Sequence, residues 1–356
     1  MPFCSYHYVI NYRFGFVRRG LAGELISLFP DKQYFTAAYL VLWASITVWL
    51  VAMTWLSIST GARSERRITL SLVVPVLPFA FSYAAYNPDP DLFGMTILLA
   101  FCISLTRTDA PRSRMILAGA YGMATAVLAL IHEAIPFEFA LGAILAIIIL
   151  AKDATRWAQR IYAAWAVGPG VVAVLLIAAP GRRDISGQLC SQVPHGMVPD
   201  PWAVSSTPWV CKNLTPALDV DMVNAVHMVG HFGFFWLSES FIIGLLFCSG
   251  TIWLIRYCSG APIGAFVSEI KDNLIMPALA SVLLVVLFMV AVDWTRWWTL
   301  ISFDVSIVYI LHAITRPEIE QPPTRRHALV FVCVVLVLAV IPTGCVNNVG
   351  TYYPSP

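Results

Sequence analysis

The stretch VAVDWTRWWTLISFD, residues 290–304, sets an acid, an arginine and a second acid among three tryptophans, and apolar sequence runs away from it on both sides. A charge held in hydrocarbon is costly and turns toward a partner or a cavity. A short polar turn between two apolar helices at a membrane surface carries no such penalty. The flanks favour the turn. About 20 apolar residues cross a hydrocarbon core roughly 30 Å thick, and the segments on either side approach that length.

The same alternation repeats along the chain. Of 356 residues, 59% are hydrophobic and 12% charged, against about 25% charged in an ordinary soluble domain. The expected fold is all-α: a polytopic transmembrane helical bundle of about ten spans with an outward-facing polar cavity. Spans are expected at roughly 34–57, 68–86, 91–106, 115–132, 137–151, 161–180, 232–255, 273–292, 297–314 and 328–344. The chain then divides into an N-terminal outer interfacial segment (1–33), a first bundle of six spans (34–180), a large loop (181–231) and a second bundle of four spans (232–356). The N-terminus lacks the apolar core and small-residue site of a cleavable signal. FGFVRRGLAGELISLF, residues 14–29, reads as an amphipathic interfacial helix; the alternative is that a first span precedes it.

The connections fall into two sets. GARSERR (61–67), TRTDAPRSR (106–114), KDATRWAQR (152–160), RYCSGAPIGAFVSEIKDN (256–273) and TRPEIEQPPTRRH (315–327) hold fourteen of the 22 Lys and Arg but seven of the 20 acids. Excess positive charge in short loops marks the cytoplasmic side. The chain is therefore expected in the plasma (inner) membrane with both termini extracytoplasmic. The other connections then face outward, and they carry Asp89, Asp91, His132, Glu133, Asp293 and Arg296.

In YNPDPDLFG (86–94) two prolines stiffen a turn that presents Asp89 and Asp91. LIHEAIPFEF (130–139) supplies His132 and Glu133, with Glu138 a turn further on. Asp293 and Arg296 are three apart and face one another on a helix. Asp304 follows on nearly the same face, about 12 Å deeper. Taken singly, each turn reads equally well as a solvated cap, and Trp294, Trp297 and Trp298 as an interfacial aromatic belt. Together they place carboxylates, a histidine and guanidiniums on one membrane face. Arg18, Arg19, Arg182 and Arg183 join them there, and the planar donors of arginine suit phosphate.

The large loop holds Cys190 and Cys211, which an oxidising exterior allows to pair as a disulfide. His227 and His231 have the i, i+4 spacing of a metal pair, with Glu239 beyond, but seven histidines in all are too few for a membrane di-iron hydroxylase. No metal is assigned; a divalent ion is compatible but not indicated, and no other cofactor is expected. Nucleotide-binding fingerprints are absent, and the net charge of +2 gives no reason to expect nucleic acid as a partner. Chemistry must then run within the membrane or at its edge.

FVRRGLAGEL (16–25) followed by NPDPDLF (87–93) is similar in layout to the polytopic enzymes that use polyprenyl-phosphate-linked sugars, the GT-C glycosyltransferases and O-antigen-polymerase-like proteins. The resemblance implies a polyprenyl-phosphate-linked sugar donor and a glycan or lipid acceptor, both met in the bilayer. It implies that Asp89 or Asp91 takes a proton from the acceptor, with His132 and Glu133 positioning it or sharing that role. Arg18, Arg19 and Arg296 would hold the phosphate, and Asp293, Asp304 and Glu24 would support the cavity. Two rival classes are a secondary transporter of a small polar solute and a membrane acyltransferase that modifies surface glycans. Against the transporter, the first and second five spans show no repeat; against the acyltransferase, RRGLAGELISLF is not followed by the expected histidine.

In a cysteine-free background, Asn87→Cys and Asp293→Cys are expected to react with an impermeant thiol reagent from outside the cell, and Ser64→Cys only after the membrane is opened. Labelling of Asn87→Cys and Asp293→Cys from opposite sides would end this topology.

Overall fold

The computed structural model describes residues 10–61, 64–178, 185–192, 222–323 and 325–340, together with Tyr8, Leu218 and Val220. Every regular element among them is helical. In chain order these are α1 (Gly20–Ser27), α2 (Tyr34–Thr60), α3 (Glu65–Val73), α4 (Phe81–Tyr86), α5 (Asp91–Leu105) and α6 (Pro111–Ala129). Then follow α7 (Ile135–Glu138), α8 (Ala140–Leu150), α9 (Arg156–Ala178), α10 (Ser186–Gln192) and α11 (Met222–His231). The rest are α12 (Phe234–Ser259), α13 (Ile263–Ile270), α14 (Ile275–Val290), α15 (Trp294–Ala313) and α16 (Arg325–Val340).

A helix lies on each of the ten expected segments, but the helices are unequal. Four are long and apolar enough to cross a membrane: Thr36–Thr60, Glu65–Tyr86, Arg156–Ala178 and Phe235–Ser259. A fifth is possible if Ile263–Asn273 and Ile275–Val290, which meet at 95°, form one broken span. Asp91–Leu105 and Ile135–Leu150 are apolar but shorter; the 15 residues of α5 reach only about 22 Å. The connection at 256–273, expected as a loop, contains α13. Glu65–Tyr86 is also interrupted, by a 3-10 turn at Val74–Val76 and a break before α4, where Pro75 and Pro78 each remove a backbone donor.

The largest hydrophobic core draws on α2 through α9 and again on α12 through α15. At its centre, Phe303 of α15 meets Trp49, Phe79 and Phe139 edge-on, with ring centroids 5.4, 5.4 and 6.2 Å away. Such edge contacts add to the area buried. A second core ties the N-terminal region to α2 through Ile10, Val17, Ala22, Ile26, Ala38 and Leu42. On the opposite side of α1, Leu25 and Leu28 stay exposed, as an interfacial helix requires.

The five basic connections gather at one end of the bundle. Arg67 pairs with Glu320 at 2.6 Å, and Arg66 donates to the Gln321 carbonyl at 2.9 Å and to the Tyr257 carbonyl at 3.5 Å. Arg114 pairs with Asp153 at 2.8 Å, Lys152 with Glu269 at 3.7 Å, and Arg156 with Asp272 at 3.1 Å. Asp153, which is exposed, is held below the usual carboxylate range chiefly by its hydrogen bond from Arg114. A cavity of about 720 Å³ lies near this end, between α9 and α14, with a mainly apolar lining.

Gly122 lets α6 and α9 approach: a Cβ there would sit 2.1 Å from the Trp165 carbonyl oxygen and 3.0 Å from the Pro169 ring. Backbone cannot yield as a flexible side chain can, so Gly122→Leu is expected to destabilise the detergent-solubilised protein by about 1–3 kcal/mol or more. A melting temperature equal to that of the wild type would contradict this packing.

Candidate functional site

The remaining turns converge on a buried charged network away from the basic loops. Its centre is Arg296, in the first turn of α15. Its Nη1 lies 3.4 Å from Asp89 Oδ2 and 3.6 Å from Asp293 Oδ2, and its Nε lies 3.6 Å from Asp91 Oδ2. The expected Asp293–Arg296 pair is present, and Asp89 and Asp91 of the NPDPD stretch (87–91) have joined it. Asp91 opens α5, and the Asp89 and Pro90 carbonyls accept from the Leu92 and Phe93 amides. Tyr83, from α4, donates its hydroxyl to Asp91 Oδ2 at 2.9 Å. Nothing in the sequence singled out Tyr83; it lies eight residues before Asp91, across a turn whose geometry only the fold supplies.

His132 follows α6, with its Nδ1 3.9 Å from Asp91 Oδ1. Its neighbour Glu133 receives Arg19 in a fork, Nε at 2.7 Å and Nη2 at 2.9 Å, while Arg18 Nη1 stands 3.7 Å away. To reach Glu133, Arg19 adopts φ 64° and ψ 13°, left-handed backbone that a residue with a Cβ rarely takes without a compensating contact. Burial lowers the His132 pKa to about 3, assisted by Arg19, so the ring is neutral. Burial alone would raise Glu133, but Arg19 overrides it and holds the carboxyl well below its usual range.

Glu138 ends α7 and faces the same space. Ligand atoms of Asp91, His132 and Glu138 all lie within 4.8 Å of one another. These residues are 0%, 4% and 1% exposed. Among the described residues, Asp91 Oδ1, His132 Nδ1 and both Glu138 carboxylate oxygens have no hydrogen-bond partner. Among the described residues, this is the group whose geometry can take a metal ion. The one signal for Glu138 was an acid in an otherwise apolar run.

Other assignments move. Asp304 does not reach Arg296's partners; its Oδ2 accepts from the Gly142 amide at 2.9 Å. The helix breaks at Phe139, between α7 and α8, so the Gly142 amide lacks its usual acceptor, and Asp304 caps the start of α8 from another helix. It closes a helix break and makes no ion pair with Arg296 among the described residues. Glu24 accepts from the Tyr12 amide at 3.0 Å, tying the N-terminal segment to α1. Trp297 is buried, and Trp294 donates to the Phe288 and Ala291 carbonyls at 3.0 Å; these two rings pack on Phe288, so the expected belt is in part a core contact. His231 Nδ1 lies 2.6 Å from the His227 carbonyl, an intrahelical contact that gives no metal geometry. Cys190 is disulfide-bonded. Cys211, Arg182 and Arg183 lie outside the described residues.

Residues 1–339 match the model of a family described as uncharacterised membrane protein Rv1490. The uncharacterized protein Rv1490 of Mycobacterium tuberculosis (strain ATCC 25618 / H37Rv) is 57% identical over 367 residues, covering 97% of this chain and 84% of its own. The uncharacterized protein Mb1527 of Mycobacterium bovis gives the same identity and coverage. No solved structure matches. The chain belongs to the Rv1490 family of membrane proteins.

If Asp304 serves as a helix cap, Asp304→Asn keeps an acceptor for Gly142 and is expected to melt close to the wild type. Asp304→Ala strands a buried amide, at a cost of about 1–3 kcal/mol. Equal melting temperatures for Asp304→Ala and the wild type would refute the cap.

Proposed function

We propose that this member of the Rv1490 family transfers a sugar from a polyprenyl-phosphate-linked donor at the outer face of the plasma membrane. In this reading the shorter helices complete a ten-span bundle, and the charged network opens to the exterior. One observation carries the reading. Asp89, Asp91, His132, Glu133, Arg18, Arg19 and Arg296 come from four separate parts of the sequence and meet in one place.

The chemistry follows from their surroundings. The acceptor hydroxyl oxygen attacks the anomeric carbon; the bond from that carbon to the phosphate oxygen breaks, and its electron pair leaves with the phosphate. The hydroxyl proton passes to a carboxylate. Asp89 suits that role better than Asp91, because it is 7% exposed where Asp91 is 0% and already holds Tyr83. A placed base contributes about 10²–10⁴ in rate. Arg18, with a third of its side chain exposed, is the guanidinium best able to meet the leaving phosphate. Arg296 is surrounded by carboxylates, and its first task is to hold them in register.

Loss of the chain from its host is expected to make a polyprenyl-phosphate-linked sugar accumulate, read by mass spectrometry of the lipid extract. Wild-type protein should clear it. Asp89→Asn should fail to, with transfer reduced at least about 10²-fold at normal expression. Arg296→Ala is a poorer probe, because it leaves buried carboxylates unpaired and so destabilises the fold. No accumulation, or full clearance by Asp89→Asn, would overturn the proposal. A proton-coupled carrier is the second reading, favoured by the unpartnered buried carboxylate of Glu138. Proton-driven uptake by proteoliposomes with no glycan product would select it.

A further inference from the structure

We infer that Asp91, His132 and Glu138 form a binding site for one divalent transition-metal ion of the zinc or manganese kind. Three observations support it, and none depends on the transfer reaction. The first is the donor set. Imidazole nitrogen suits zinc and carboxylates suit manganese while also binding zinc, and three protein ligands leave a position open to water or substrate. The ligand atoms lie within 4.8 Å of one another. Around an ion with bonds of about 2.0–2.1 Å, tetrahedral ligands stand roughly 3.3 Å apart. Side-chain rotations of the order of an ångström close that gap.

The second is the unsatisfied atoms. Buried polar groups are almost always partnered, and an exception calls for an ion, a proton or a water. Here four atoms facing one space lack a hydrogen-bond partner among the described residues: Asp91 Oδ1, His132 Nδ1 and both Glu138 oxygens. The supporting contacts leave them so. Tyr83 and Arg296 both engage Asp91 on Oδ2, which leaves Oδ1 turned toward His132. Such outer contacts orient metal ligands and are part of the site.

The third is charge. Among the described residues, Asp89, Asp91, Asp293, Glu133 and Glu138 stand near Arg18, Arg19 and Arg296, five carboxylates against three guanidiniums. Asp91 and Glu138 are buried, where uncompensated negative charge is costly, and a divalent cation offsets it. The three ligands sit at helix ends, where α5 begins, just after α6 and where α7 stops, so an ion would also fasten these helices together.

The test uses the full chain purified in detergent, stripped with chelator and dialysed against Zn²⁺ or Mn²⁺ alone. The wild type is expected to hold about one ion per chain and to melt at a higher temperature with it. Glu138→Gln and His132→Ala should each weaken binding at least about tenfold. His312→Ala, near the basic loops, should bind as the wild type does. X-ray absorption of the loaded wild type should show nitrogen and oxygen donors without sulfur, a result that needs no variant to fold. Absence of stoichiometric binding by the wild type would overturn the inference. So would sulfur in the coordination shell, or unchanged affinity in both ligand variants.

Discussion

A guanidinium buried among three carboxylates holds the charged end of this molecule together. Arg296 stands within 3.6 Å of Asp89, Asp91 and Asp293, with 12% of its side chain exposed. In a low-dielectric setting neither sign tolerates the loss of the other, so the turn before α5 and the turn before α15 are bound to meet. That constraint places α4, α5, α14 and α15 relative to one another. The stiff NPDPD stretch, residues 87–91, keeps Asp89 and Asp91 on the same target. Arginine suits this position better than lysine, because its fork of fixed donors can face several carboxylates at once.

Around that centre the backbone departs from regularity twice, each time toward a partner far away in sequence. Arg19 takes left-handed backbone to grip Glu133, and the helix break at Phe139 leaves Gly142 for Asp304. The cost of each is local, and the compensation is tertiary. Gly142 has little room: a Cβ there would lie 2.5 Å from Leu98 and 2.7 Å from Asp304. The break also turns Glu138 toward Asp91 and His132, so the segment that needs Asp304 as a cap is the one that delivers an unpartnered carboxylate to the site.

The molecule has two unlike polar ends. At one, basic loops pair with acids that are mostly exposed or half-exposed, where ion pairs contribute little to stability, although Arg114 itself is buried. At the other, acids outnumber guanidiniums among the described residues, and the pairs of Arg296 with Asp89 and Asp91 are nearly buried. A structural role alone would be served better by apolar residues of similar size, since buried ion pairs are seldom net stabilising. The buried end is where chemistry is to be sought.

By itself the sequence determined the class, the positions of ten apolar helical segments and the basic character of five connections, because these depend on composition and on apolar length along the chain. Residue type at helix ends also brought forward Asp89, Asp91, His132, Glu133, Arg19 and Arg296, since a charge beside an apolar run stands out. Tertiary structure decided which of them touch. Tyr83 and Glu138 were silent or nearly so in the sequence, because one tyrosine or one acid becomes a site member only when another segment is folded against it. Asp304 had the opposite fate. Its spacing suggested the charged wall, but a helix break in a different segment claimed it, and the interruption that creates the claim involves partners more than 160 residues apart. Periodicity reports what one helix presents; it carries no information on what a second helix lacks.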